Sequence, residues 1–296
     1  MVMDGNRPAI ARRAIFLDVD GTYAHHGVVP PAHEAAVRAA RAAGHLVFLC
    51  TGRPVSLLPP HLTAAGFDGI VAGAGAHVTV GDDVVLDIRF PAPLAARALS
   101  LLDAEGTHYL LETPEGTFAR QSAIDVLSAR AALSADPAFL HLAGLVDIVA
   151  ALTPLEDLSG IGIGKITAFD GPVSMGIIAA ELGDEVAMFP SSIADLGVGA
   201  GELYLAHVNK ALGMEAVITR LGIQREATIA FGDNLNDLEM IEFAGVGVAM
   251  ATGMREAIEA ADLVAPGPDE DGIATAFAEL GLIQSGPERA SLSLPT

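Results

Sequence analysis

One stretch near the start of the chain, residues 14–22, constrains the fold more than any other. It reads AIFLDVDGT, so four apolar residues run directly into two aspartates, a glycine and a threonine. An unbroken apolar run of this kind is typical of a strand buried on both faces of a parallel sheet. Asp18 and Asp20 are two positions apart, which places both side chains on one face as the strand ends. Because such sheets bind ligands at the carboxyl ends of their strands, we expect a site there.

Two converging carboxylates repel each other, and a hard cation such as Mg²⁺ would relieve that repulsion. The alternative is a strand that ends in an ordinary polar turn, where aspartate and glycine are common. The other polar clusters of the chain favour the metal site. These clusters are T51-G52-R53, Lys210 and G232-D233-N234-L235-N236-D237, and each follows an apolar run or begins a helix beside one. The pattern predicts that all of them lie on one edge of one sheet.

The charge of the chain limits its partners. Thirty-seven acidic residues against 16 basic ones give a net charge of −21, which should repel nucleic acid and anionic membranes. Any site for an anion must therefore gather its positive charge locally, and only two lysines are present, Lys165 and Lys210. No stretch of 18 residues lacks a charge, so no membrane span is expected. The patterns make no prediction about the oligomeric state.

The sequence also indicates a reducing compartment. Cys50 is the only cysteine, which excludes a disulfide within the chain, and its apolar neighbours indicate a buried strand. The first residues show no apolar segment behind a basic one, so we expect no secretory signal and a cytoplasmic location.

The order of predicted elements indicates an α/β core with an inserted domain. Apolar strands alternate with helices up to about residue 78, as in a doubly wound, Rossmann-like parallel sheet. From there, hairpins alternate with helices, and a strand is predicted near residues 145–150, which indicates an α+β cap domain. The predicted boundaries are residues 1–78 for the first part of the core, 79–200 for the cap, 201–284 for the second part of the core and 285–296 for a flexible tail.

The four motifs, in this order and with a large insertion between the second and the third, resemble those of the haloacid dehalogenase superfamily, in its Cof-like branch. The resemblance covers nearly all of residues 12–282. It implies a Mg²⁺-dependent phosphatase that acts on a small phosphorylated metabolite, of which a sugar phosphate is the expected class. Two departures concern the rim of the cleft: A74-G75-A76 and A251-T252-G253 stand where relatives carry Asn-Gly-Ala and Gly-Asn-Ala.

The resemblance also implies roles for single residues. Asp18 would be the nucleophile that accepts the phosphoryl group, and Asp20 would protonate the leaving group and then activate water. Lys210 would stabilise the charge of the transition state. The remaining implied roles are phosphate binding for Thr51, Gly52, Arg53 and Asn236, and metal binding for Asp18, Asp20, Asp233 and Asp237. Asp237 is expected in a supporting position beside the metal.

Three alternatives stay open at this point. Arg53 would reach phosphate or order the neighbouring loop. Lys165, in the cap, would meet a polar or anionic part of the substrate or lie on a solvated surface. The function itself has two rivals, a phosphomutase on the same core and a metal- and phosphate-binding regulator without turnover.

Overall fold

The computed structural model describes residues 12–136, 139, 142, 144–191, 196, 197, 199–284 and 292–295. Two sheets organise this part of the chain. One has eight strands and the other has six, and the chain leaves the first sheet once and returns to it. The prediction of a doubly wound core with an inserted α+β domain is confirmed.

The eight-stranded core sheet has the order β14-β13-β12-β1-β2-β3-β4-β5. Its first six strands in that order are parallel, and the last two are antiparallel to their neighbours. The strands of this sheet are β1 (Ala14–Leu17), β2 (Leu46–Cys50), β3 (Gly69–Ala72), β4 (His77–Val80), β5 (Asp83–Asp87), β12 (Thr228–Gly232), β13 (Val246–Met250) and β14 (Leu263–Ala265).

Helices cover both faces of the core sheet. Side chains of β1 alternate between the two layers: Ile15 and Leu17 pack on one side, and Phe16 packs on the other. All three are fully buried, which explains why the strand is apolar throughout. The helices of the core are α1 (Pro31–Ala42), α2 (Pro60–Thr63), α7 (Lys210–Leu221), α8 (Leu238–Phe243), α9 (Arg255–Ala260) and α10 (Gly272–Glu279).

The order of the strands creates a crevice in the middle of the core sheet. The chain runs outward from β1 through β2 to β3, and it later returns to β12 on the other side of β1. Crossovers that start on opposite sides of one strand leave a gap at the carboxyl ends of the strands. The ends of β1, β2 and β12 carry the three polar clusters that the sequence singles out.

The six-stranded cap sheet has the order β10-β11-β9-β6-β7-β8 and is antiparallel except for the pair β7 and β8. Helices α3 and α6 pack on one face, and α4 and α5 pack on the other. The elements of the cap are α3 (Ala92–Ala104), β6 (His108–Glu112), β7 (Thr117–Ala119), α4 (Gln121–Leu133), α5 (Gly144–Ala151), β8 (Leu152–Pro154), β9 (Lys165–Phe169), α6 (Met175–Leu182), β10 (Val186–Pro190) and β11 (Gly201–Leu205).

The sheets move both predicted boundaries of the cap. The hairpin of β4 and β5 pairs with β3, so it extends the core sheet and the cap begins after it, whereas the prediction began the cap at residue 79. At the other end, β11 pairs with β9 and β10, so the core resumes after residue 205 and not at residue 201. Hairpins and apolar strands occur in both domains, and strand type alone could not assign them.

Two further expectations are corrected. Residues 145–150 were predicted as a strand, but they form α5, which packs against α4; a short apolar run fits either structure. The tail at 285–296 was predicted to be loose. Of its described residues, Ser293 exchanges both backbone hydrogen bonds with Val264, which fixes this part to the core. Residues 285–291 and 296 lie outside the described part. Among the described helices, none combines the length and apolar character that a membrane crossing requires.

Candidate active site

Asp18 lies at the carboxyl end of β1, in the crevice between β2 and β12. Its backbone N–H donates to the carbonyl of Phe231 at 2.9 Å, which extends the pairing of β1 and β12 by one residue. Its side chain is buried, and Oδ1 accepts a hydrogen bond from Lys210 Nζ at 2.5 Å. Burial, together with the charges of the neighbouring aspartates, raises the pKa of Asp18 well above its usual value, although Lys210 opposes this shift.

Lys210 is completely buried at the first turn of α7. Asn209 precedes it as the helix cap, and its side chain accepts from the N–H of Leu212 at 2.9 Å. Lys210 Nζ also donates to Asp237, so the ammonium group lies between two carboxylates. Burial lowers the pKa of Lys210, but the charges of Asp18 and Asp237 outweigh it and raise the pKa above the usual value. The lysine is therefore charged.

Asp237 uses both of its carboxylate oxygens within the protein. One accepts from Lys210, and Oδ2 accepts from the backbone N–H groups of Asp233 and Asn234 at 2.9 and 3.0 Å. Asn234 completes a capping box at this turn. Asp237 therefore positions both the lysine and the loop that carries Asp233.

Asp233 is held against the loop after β1. The Thr22 hydroxyl donates to its Oδ1 at 2.8 Å. Gly21 has φ +94°, and a Cβ there would lie 2.3 Å from Asp233 Oδ2, so only glycine allows this approach. Burial and the charge of Asp237 raise the pKa of Asp233 to about 6, while the Thr22 hydrogen bond opposes the shift. Gly21 and Thr22 of the first motif therefore position Asp233 of the last motif.

The acids fit a divalent cation. Asp18, Asp233 and Asp237 each offer a carboxylate oxygen, and these oxygens lie within 4.8 Å of one another. Burial, and after it the repulsion from neighbouring carboxylates, raises the pKa values of Asp18 and Asp233, and a hard cation with oxygen ligands would favour the ionised forms. The side chain of Asp20 is outside this cluster.

Asp20 instead pairs with Arg53 across the crevice. The guanidinium forms a fork with the carboxylate, with Nε at 2.7 Å from Oδ2 and Nη2 at 2.6 Å from Oδ1. Burial lowers the pKa of Arg53, but the hydrogen bond and charge of Asp20, with Asp18 and Asp147 of α5, raise it above the usual value. Half of the Asp20 side chain is exposed, so it lies at the open side of the crevice.

The loop that follows β2 holds the remaining predicted phosphate ligands. Thr51 is buried, and its hydroxyl accepts from the N–H of Arg53 at 3.1 Å. A Cβ on Gly52 would lie 3.5 Å from Asn236 Nδ2, so the asparagine amide faces this loop. The N–H of Ala74 donates to the Thr51 carbonyl at 3.0 Å, and Ala74 takes the left-handed φ of +55°, which asparagine tolerates better than alanine.

Lys165 is neither on a solvated surface nor free to meet an anion. Its Nζ donates to Glu202 Oε2 at 2.9 Å and lies 3.2 Å from Glu112 Oε2, and the side chain is 5% exposed. It also donates to the carbonyl of Gly52 at 3.0 Å, which joins the cap to the loop after β2. We call Glu112, Lys165 and Glu202 the cap cluster.

With this geometry established, comparisons with known proteins identify the family. The family model for haloacid dehalogenase-like hydrolases matches residues 15–277. The chain belongs to this family. It is therefore a hydrolase of the haloacid dehalogenase superfamily, and the resemblance drawn from its motifs is confirmed.

One curated relative and two solved structures match most of the length of this hydrolase. YkrA of Bacillus subtilis (strain 168), which its name provisionally describes as a phosphatase, is 31% identical over 275 residues, or 92% of this chain and 99% of YkrA. Among solved structures, the phosphatase BT1666 from Bacteroides thetaiotaomicron has a TM-score of 0.74 at 22% identity and covers 96% of this chain and 99% of its own. The subclass IIB sugar phosphatase BT4131 has a TM-score of 0.73 at 22% identity, over 92% and 100%. At this identity the structural matches show the fold alone.

Several residues of the site escaped the sequence-based prediction. Thr22 belongs to the first motif, but its bond to Asp233 depends on the approach of two loops 211 positions apart. Glu112 and Glu202 gave no local signal, because Glu112 ends the ordinary strand β6 and Glu202 is the second residue of β11. The scarcity of lysine was the one available clue, since a buried lysine needs carboxylate partners in this acidic chain.

Proposed function

We propose that this hydrolase is a Mg²⁺-dependent phosphatase that hydrolyses a small phosphorylated metabolite through a phosphoryl-enzyme on Asp18. The contact between Asp18 Oδ1 and Lys210 Nζ at 2.5 Å carries the proposal, because it places a buried carboxylate and a fixed cation at one point of the crevice. A nucleophile for an anionic ester needs such a cation to offset the repulsion between them. The phosphatase name of YkrA supports the reaction, and the fold shared with BT4131 supports sugar phosphates as the substrate class.

In the first step, Asp18 attacks phosphorus, the bond to the leaving oxygen breaks, and Asp20 gives that oxygen its proton. In the second step, Asp20 removes a proton from water, the water oxygen attacks phosphorus, and the bond to Asp18 breaks to release phosphate. Asp20 ends the cycle protonated, as it began. In the structure both oxygens of Asp20 accept from Arg53 at the open side of the crevice, so Asp20 would leave this fork to exchange a proton with a leaving group or water there.

Lys210, Thr51 and Asn236 would bind the phosphoryl oxygens. Lys210 stays charged throughout because it keeps its contact with Asp237. Asp18 and Asp233 would hold Mg²⁺, with Asp237 as a supporting residue whose two oxygens are already engaged. When bound, Mg²⁺ supplies positive charge that offsets the charge of the phosphoryl group.

The test is phosphate release from p-nitrophenyl phosphate and from a panel of sugar phosphates, with Mg²⁺ and with EDTA. We expect Mg²⁺-dependent turnover, and Asp18→Asn should reduce kcat by about 10³-fold or more. Asp184→Asn, an exposed aspartate of the cap, is the matched control and should retain full activity.

Two results would contradict the proposal. Turnover that requires a sugar bisphosphate and transfers phosphate between positions would show a phosphomutase. Binding of Mg²⁺ and phosphate without turnover of any compound, in a protein with an intact fold, would show a regulator.

A further inference from the structure

The cap meets the phosphate-binding loop of the core at one defined point. Lys165 Nζ donates to the carbonyl of Gly52, which lies between Thr51 and Arg53. A second contact adjoins it, where the Ser56 hydroxyl donates to the carbonyl of Thr113 at 3.1 Å. The leaving group of a substrate whose phosphate binds to this loop would therefore extend toward the start of β9 and the end of β6.

The cap cluster is built into the sheet and does not depend on flexible side chains at the surface. Glu112 on β6 lies directly opposite Lys165 on β9, and Glu202 on β11 lies opposite Thr167 on β9. The Thr167 hydroxyl donates to Glu112 Oε1 at 2.5 Å, which fixes that carboxylate. Two carboxylates therefore surround one ammonium group, and the positive charge of Lys165 is already neutralised within the cap.

Among the described residues of the cap, every other lysine or arginine side chain has a partner within the protein. Residues 88–205 contain four arginines. Three of them pair with carboxylates and the fourth donates to a backbone carbonyl: Arg89 with Asp87 and Glu115, Arg120 with Asp103, Arg130 with Asp170, and Arg97 with the carbonyl of Glu181. In addition, Asp147 of α5 is close enough to Arg53 to help raise its pKa, a shift that burial opposes.

We infer that the cap cluster selects substrates whose leaving group carries hydroxyl or amino groups and no second phosphate or carboxylate. This inference rests on the proposed function. Carboxylate oxygens of Glu112 and Glu202 accept hydrogen bonds from hydroxyl groups and attract an ammonium group. A second anion would lose its hydration beside two carboxylates and gain no cation, which is a repulsive element against that class of substrate.

The test compares sugar phosphates whose leaving groups differ in charge. Glucose 6-phosphate is neutral at C1, 6-phosphogluconate carries a carboxylate there, and glucosamine 6-phosphate adds an amine at C2. We expect kcat/KM to be at least about tenfold higher for glucose 6-phosphate than for 6-phosphogluconate, because the carboxylate of the second compound is repelled by the like charges of the cap cluster. Glucosamine 6-phosphate should be at least as good a substrate as glucose 6-phosphate.

Glu202→Gln removes one negative charge and keeps the shape of the side chain. It should lower the preference for glucose 6-phosphate over 6-phosphogluconate several-fold, measured as the ratio of the two kcat/KM values. Glu112→Gln should act in the same direction, with its melting temperature measured because it is more deeply buried. Glu156→Gln, an exposed glutamate of the cap, should leave the preference unchanged.

A binding measurement separates this inference from the proposed function. Calorimetric titration of the Asp18→Asn variant with both sugar phosphates gives their Kd ratio without turnover. Equal affinities, or a ratio that Glu202→Gln does not change, would overturn the inference even if p-nitrophenyl phosphate is hydrolysed. Failure to bind either compound would overturn it as well. Loss of all turnover together with a Kd ratio that follows the charge of Glu202 would contradict the proposed function alone.

Discussion

The two lysines of this chain occupy environments that are alike in composition and different in what they reach. Each is buried between two carboxylates. Lys210 lies between Asp18 and Asp237 in the core, and Lys165 lies between Glu112 and Glu202 in the cap. Each also has a pKa above the usual value, because the carboxylate charges outweigh the burial that lowers it. A buried lysine with two acids is therefore not by itself a sign of catalysis.

The difference lies in the partners. One partner of Lys210 is Asp18 at the carboxyl end of β1, the position at which α/β sheets bind ligands. Lys210 also begins α7, where the helix dipole disfavours a positive charge, so the site keeps a lysine at an electrostatic cost. Lys165 lies on a strand and donates across the boundary between the domains to a backbone carbonyl. The comparison supports the proposed role of Lys210 at the reacting group, whereas Lys165 connects the cap to the core.

The largest expected effect comes from removing the lysine of the core. Lys210→Met should reduce kcat for p-nitrophenyl phosphate by about 10³-fold, because it removes the fixed cation beside the nucleophile. Steady-state kinetics in saturating Mg²⁺ measure this loss. Lys165→Met is the matched control, and its kcat for this small substrate should fall by less than about tenfold. Equal losses in the two variants would contradict the separate roles of the two lysines.

The second effect concerns stability. Lys165→Met leaves the buried Glu112 without its cation, and loss of one partner of a buried pair typically costs about 3 kcal/mol in the free energy of unfolding. Urea denaturation at pH 7.5 measures this cost. Adding Glu112→Gln to the variant should recover a large part of it, because the double variant no longer buries that unpaired charge.

The pH dependence gives a check on the same variant. Burial raises the pKa of Glu112, so its protonated form is favoured in the folded state. The single variant should therefore lose more stability as the pH rises above the ordinary range of a carboxyl group. A free energy of unfolding that is unchanged by Lys165→Met would show that the cap cluster does not hold a buried charge.

The convergence of the core residues at one edge of the sheet was predictable because these residues are local to strand ends. The acids of residues 18–20 and 233–237 follow apolar strands, and parallel strands bring their carboxyl ends to one edge whatever the rest of the chain does. The inserted cap was also predictable, since its hairpins interrupt an alternating pattern. The resemblance placed Lys210 at the reacting group, but it did not give the contact of Lys210 with Asp237.

The cap cluster was not predictable for a physical reason. Lys165 meets Glu112 and Glu202 only through the pairing of three antiparallel strands, and a register shift of one residue would turn these side chains to the opposite face. The strand order of the cap, in which β9 lies between β6 and β11, is likewise a property of the whole domain. Residue type indicated only that a buried lysine would need acids. It could not name them.

The smallest expected effect is on thermal stability, and it separates the two lysine sites by their response to Mg²⁺. In the metal-free protein the pKa of Asp233 is about 6, above the value of 3.8 for a free aspartate, because of burial and the charge of Asp237. The folded state therefore binds this proton more tightly than the unfolded state. The contribution of Asp233 to stability is fully present below about pH 4 and is lost as the pH rises through about 6.

Mg²⁺ bound as proposed would need the carboxylates in their ionised form, so it should raise the melting temperature by several degrees at pH 7.5 and by less at pH 5. Differential scanning calorimetry with and without Mg²⁺ measures the shift at each pH. Asp233→Asn should abolish it, whereas Glu202→Gln should retain it, because the cap cluster holds its own cation in Lys165. A Mg²⁺ shift that survives Asp233→Asn and disappears in Glu202→Gln would place the metal at the cap and reverse the assignment of the two sites.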